Sequence, residues 1–150
     1  MIDTLNDIEF IQLVASLLKG QSTLALATTA EDGLPRVAPL FYVSDDNLRL
    51  YWFSSPSSEH SLNVARDNAA AVTVFRSTDE WKEIWGVQMR GTVGMVSDIE
   101  RRGSIQKEYA GRFNLGTLFD AQIASSALYV FEPTWLRSID GHEHREIRMV

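Results

Sequence analysis

Hydroxyls, an imidazole and a helix start fall together between Leu48 and Asn63, which read LRLYWFSSPSSEHSLN. The alternation of apolar residues carries a strand to Ser54 and Ser55, Pro56 turns the chain, and Ser57, Ser58, Glu59 and His60 open a short helix. Unpaired backbone N–H groups and the helix dipole both favour negative charge at such a point, so this corner suits an anion such as a phosphate. The plainer reading is a serine-capped helix that follows a strand, because serine is a common N-cap.

A second set lies further along the chain. Gln88 and Arg90 are two apart on a predicted strand and therefore share a face. They offer amide and guanidinium donors suited to carbonyl or phosphate oxygens, or else form a solvated strand face. Arg36 stands at a strand start after Gly33-Leu34-Pro35. Among the aromatics, Trp81, Trp85 and Trp135 are the candidates for a ligand or subunit interface; most of the others are what a small barrel core needs. His142 and His144 could share a strand face, but no further histidine or cysteine ligand is near, and a solvated tail is the default. There is no nucleophile elbow, phosphate-binding P-loop or dinucleotide fingerprint, and no convincing nucleophile–base pair. Chemistry here would need a cofactor to supply it.

The elements that hold these residues follow from the pattern. The 150 residues, 45% hydrophobic and 23% charged, fit one globular domain spanning residues 1–150. The absence of cysteine excludes disulfides and thiolate chemistry and fits a reducing cytoplasm. A net charge of −6 argues against broad nucleic-acid binding, and no apolar run approaches a membrane span or a signal peptide. Thr4 to Leu18 reads as a helix stopped by Gly20. Thr23 to Thr29, Arg36 to Val43 and Leu48 to Ser54 read as an antiparallel meander with a turn at Glu31-Asp32-Gly33. After the short helix Ser58 to Asp67, Ala69 to Phe75 and Ile84 to Val96 are strands. Ser97 caps a helix to about Gly111, with Glu100 completing a capping box. Ala127 to Phe131 and Trp135 to Ile139 are the last strands. Six or seven antiparallel strands with three helices favour a closed or partly closed barrel, which leaves few exposed edges.

This order resembles the pyridoxamine 5′-phosphate oxidase-like family, the FMN-binding split barrels, and in particular its general-stress and YhbP-like branch. The resemblance is carried by the leading helix, the Asp32-Gly33 turn, the P-R-V-A-P-L-F-Y strand, the strand ending Ser54-Ser55, the S-S-E-H-S-L-N helix start and the G-V-Q-M-R-G-T-V strand. It implies a mainly β, six-stranded antiparallel split barrel that forms a homodimer with two FMN sites at the interface. Arg36, Val37, Ala38 and Pro39 would run beside the isoalloxazine and ribityl chain. Phe53, Ser54 and Ser55 would border the phosphate, with Ser58 and His60 also holding it. Gln88 and Arg90 would meet the ring's pyrimidine edge, and Trp135 with the Arg145 to Arg148 tail would reach the partner's site. Glu59 departs from the family's cation next to the phosphate, and the substrate-binding tail of the biosynthetic oxidase is not recognisable. The implied function is a cytoplasmic FMN-dependent oxidoreductase. The alternatives are a non-catalytic module holding a flavin, haem or other planar ligand, and use of a deazaflavin.

Overall fold

The computed structural model describes residues 5–114, 116–140 and 144–149. In chain order it contains α1 (Asp7–Gly20), β1 (Thr23–Thr29), β2 (Pro35–Phe41), β3 (Val43–Ser44), β4 (Leu50–Ser54), α2 (Glu59–Arg66), β5 (Ala69–Phe75), β6 (Trp85–Met95), α3 (Ile99–Phe113), α4 (Thr117–Ala124), β7 (Ala127–Asp140) and β8 (Glu146–Arg148). All strand pairs are antiparallel, in the order β2-β1-β5-β6-β7-β4-β3, with β8 added on β7. Only Tyr42 separates β2 from β3, although they lie at opposite ends of that order. They are two halves of one bent segment that carries the chain from one sheet edge to the other. Counted so, the sheet curls into the six-stranded split barrel that the family resemblance implied, with β8 added at its side.

The meander does not form as expected. β1 pairs with β2, but β4 pairs with β7 and with the short β3 rather than with β2. The bend at Tyr42 removes the second half of the predicted strand to the far edge. Tyr42 has no exposure, and its hydroxyl donates to the Leu18 carbonyl at 2.6 Å. Arg112 donates to the Lys19 carbonyl at 2.9 Å and to that of Gln21. Together they satisfy carbonyls at the C-terminal end of α1, which the helix itself leaves without partners. Tyr42→Phe should therefore strand a buried carbonyl at a cost of about 1–3 kcal/mol. Thermal denaturation should show a midpoint lower by several degrees, at roughly 2–4 °C per kcal/mol for a chain of this size.

Other boundaries move for local reasons. α1 starts at Asp7 because Asn6 and Glu9 form a reciprocal capping box, at 2.9 and 3.0 Å; the predicted start at Thr4 lies outside the described residues. Asp98, not Ser97, caps α3, its carboxylate accepting from the N–H groups of Glu100 and Arg101. α3 runs on to Phe113 and ends at left-handed Asn114. Leu48 is also left-handed, at φ 63°, closing the Asp45 turn, so β4 begins only at Leu50. The fourth α-helix, α4, was not expected. The two predicted last strands are one, β7, and Pro133 is accommodated at a bulge between Arg90 and Gly91 of β6.

Two apolar clusters result. Phe10, Leu18, Leu26, Trp52, Met89 and Phe131 fill the barrel with their neighbours. Val43, Tyr51, Phe53, Tyr109, Ile123 and Leu128 form a second cluster that joins α3 and α4 to the outside of β3, β4 and β7. No helix among the described residues is long and apolar enough to cross a membrane.

Candidate functional site

Two neighbouring surfaces collect the chemistry. The first is the end of β4 with the start of α2. The Ser54 and Ser58 hydroxyls lie 2.7 and 3.2 Å from His60 Nε2, so one ring nitrogen serves both. Ser58 Oγ also donates to the Ser55 carbonyl at 2.8 Å and lies 2.7 Å from Ser61 Oγ. Ser55 and Ser57 Oγ are 2.9 Å apart. Ser58 occupies the N-cap position yet makes no side-chain cap bond, so the first turn of α2 keeps its N–H groups for another acceptor. Phe53 turns the other way, into the second cluster, with its ring against Tyr109 and under the Arg102 guanidinium. Strand alternation separates it from Ser54, leaving its backbone at the corner.

Beside this corner, a cavity of about 640 Å³ is lined by Arg36, Ser57, Glu59, Asn63 and Arg66, together with Glu31 and Asp32 from the β1–β2 turn. Arg36 Nε is 2.9 Å from Glu59 Oε1. Arg66, which sequence reasoning missed, donates to Asn63 Oδ1 at 3.0 Å and to the Thr29 carbonyl at 3.1 Å. Asn63, buried, donates to Thr28 Oγ1 at 3.1 Å and so ties α2 to β1. Glu59, Asn63 and Arg66 are spaced i, i+4 and i+7 and share one helix face, the signal that could have pointed to Arg66.

Burial pushes the His60 pKa below its ordinary 6.5, against a smaller opposing pull from Glu59. The imidazole is therefore largely neutral at pH 7 and lends the corner hydrogen bonds rather than positive charge. Between the folded value and 6.5 the unfolded chain binds more protons, so this residue's contribution to stability is present above pH 6.5 and is lost on acidification through the folded value. Melts from about pH 5 to 8 should show a decline toward acid that is shallower in His60→Gln.

The second surface is the outer face of the sheet. Strand register aligns Val37, Ala27, Ala71, Arg90, Trp135 and Arg148 in one row across β2, β1, β5, β6, β7 and β8. Pro39, Ala25, Thr73, Gln88, Arg137 and Glu146 form the adjacent row. Gln88 and Arg90 thus share a face, as their spacing predicted, and Val37, Pro39 and Trp135 lie on it with them. Ala38 falls on the opposite phase and is half-buried. The centre is a platform of small side chains, Ala25, Ala27, Ala71 and Thr73, which sequence reasoning also missed. Arg90 stacks over Trp135 with its guanidinium carbon 4.4 Å from the ring centroid. A hollow of about 560 Å³ beside them is lined by Thr28, Thr29, Pro35, Ala69 to Ala71, Arg90, Trp135 and Arg148. The β1–β2 hairpin contributes to both hollows, with Ala30, Glu31, Asp32 and Arg36 lining the first and Thr28, Thr29 and Pro35 the second.

Of the other tryptophans, Trp85 packs against the barrel core and Trp81 is exposed within the β5–β6 connection. His142 lies outside the described residues, and among those described no three His, Cys, Asp or Glu side chains are grouped to hold a metal.

The pyridoxamine 5′-phosphate oxidase family model matches residues 10–140. The chain belongs to this family. Solved structures with the same fold include a protein related to general stress protein 26 from Clostridium acetobutylicum, with TM-score 0.71 and 14% identity over 96% of this chain and 97% of that one. Campylobacter jejuni ChuZ matches with TM-score 0.80 and 16% identity, over 96% of this chain and 61% of its own. A haem-binding protein from Mycobacterium smegmatis matches with TM-score 0.73 and 15% identity, over 90% of this chain and 57% of its own. No curated protein matches the chain.

Proposed function

We propose that this oxidase-family chain is an FMN-binding flavoprotein, a cytoplasmic homodimeric oxidoreductase. The observation that carries the reading is the platform of alanines and Thr73, edged by Val37 and Pro39 on one side and by Gln88, Arg90 and Trp135 on the other. A planar ring needs a flat apolar seat with donors at one edge. The neighbouring Arg36–Arg66 cavity and the uncapped start of α2 lie where a charged tail would run. The residues fit the group: Ser54, Ser55 and Ser58 supply hydroxyls, Arg36 and Arg66 supply positive charge, and Gln88 with Arg90 supplies ring donors. FMN would bring the hydride or electron transfer.

This chain's own residues would seat the ring, neutralise the tail and keep water from one ring face. Val37 is 71% exposed and Phe41 48% exposed on this same outer face, an apolar strip that a second copy would cover. Trp135 and Arg148 would then reach toward the partner's site. The Arg36–Glu59 pair favours a second reading, a non-catalytic module for a planar ligand such as haem.

Titration of purified protein with FMN, followed by quenching of flavin fluorescence, tests the lead reading. Saturable quenching with one flavin per chain, and twice the monomer mass in light scattering, are the expected results. No quenching, or a Soret band on haem addition in its place, would overturn it.

A further inference from the structure

We propose that Glu59 is a specificity-determining residue of the tail cavity: by holding the Arg36 guanidinium it lowers the preference for a flavin ending in phosphate over the same flavin ending in a hydroxyl. This rests on the flavin reading above and deepens it. All three guanidinium nitrogens of Arg36 are engaged. Nε meets Glu59 Oε1 at 2.9 Å, one terminal nitrogen lies 3.4 Å from Asp32 Oδ2, and the other donates to the Pro35 carbonyl at 3.2 Å. Arg66 is committed in the same way to Asn63 and the Thr29 carbonyl.

Three carboxylates, Glu31, Asp32 and Glu59, line this cavity with two guanidiniums. A phosphate entering it must displace Glu59 from Arg36 and then lie beside the freed carboxylate, whereas a terminal hydroxyl can donate to a carboxylate and leave the pair intact. Because both partners of the pair are more than two-fifths exposed, solvent screens the effect, which should amount to about tenfold in relative affinity at low ionic strength.

The test is a set of flavin-fluorescence titrations with FMN and with riboflavin. The proteins are the native chain, Glu59→Gln, Arg36→Gln and the double variant. Glu59→Gln should raise the FMN-to-riboflavin affinity ratio about tenfold, and the same substitution on Arg36→Gln should raise it much less, by the direct repulsion alone. An unchanged ratio in Glu59→Gln, or an equal rise without Arg36, overturns the proposal.

Inorganic phosphate supplies an independent readout. Relative to chloride at equal ionic strength, phosphate should raise the melting midpoint of Glu59→Gln more than that of the native chain; no difference overturns the proposal. If neither flavin binds any variant, the flavin reading fails, and the phosphate comparison alone decides the role of Glu59.

Discussion

Gly91→Ala should be among the most destabilising single substitutions in the protein. A β-carbon built at this position would lie 2.0 Å from the Glu132 carbonyl oxygen and 2.9 Å from Phe131 Cζ. The first contact is with backbone and cannot be relieved by a rotamer change. It sits at the bulge, where β6 and β7 share the longest run of pairing in the barrel. Accommodating a methyl group means separating the two strands that carry Arg90 and Trp135. Overpacking of this kind costs about 1–3 kcal/mol where side chains can adjust, and a backbone clash belongs at or above the top of that range. The midpoint of urea or thermal unfolding should fall by roughly 10 °C or its equivalent. Gly94→Ala, three residues on and with open space around its β-carbon position, is the control and should be nearly silent. Similar midpoints for the two variants would show that the bulge is plastic.

The second large effect is on ligand affinity. His60→Glu should weaken FMN binding ten- to thirty-fold, about 1.4–2 kcal/mol for a new carboxylate near a dianion in a half-solvated corner. Riboflavin, without the phosphate, should lose much less. The same carboxylate would accept from the Ser54 hydroxyl that His60 Nε2 now engages, and Ser58 keeps its bond to the Ser55 carbonyl, so the helix start should stay in place. FMN affinity that matches the native chain would move the phosphate away from this corner.

Where side-chain character alternates strongly, the structure follows the sequence closely. β5 spans the predicted residues, and β6 differs by one at each end. Gln88 and Arg90 point outward because Val87, Met89 and Val93 point in. Three features were not legible, each for its own reason. The alanine platform is formed by residues that carry little hydropathy signal, and only the pairing register sets Ala25, Ala27 and Ala71 side by side. α4, read as TLFDAQIA, has almost no amphipathic pattern. At the start of α3, Ser97 and Asp98 are both good caps, and choosing between them takes the backbone. Partnership was the other blind spot. Glu59 reads as an isolated departure from a basic motif until Arg36, 23 positions earlier, is seen beside it.

The Tyr42 bend gives the barrel the character of a hoop whose clasp is a single residue. Cutting the chain there would turn a ring into a strip with two new free margins, and those margins invite stacking between molecules. A nick in the polar stretch between β5 and β6, which spans no such seam, should leave the two fragments clasped.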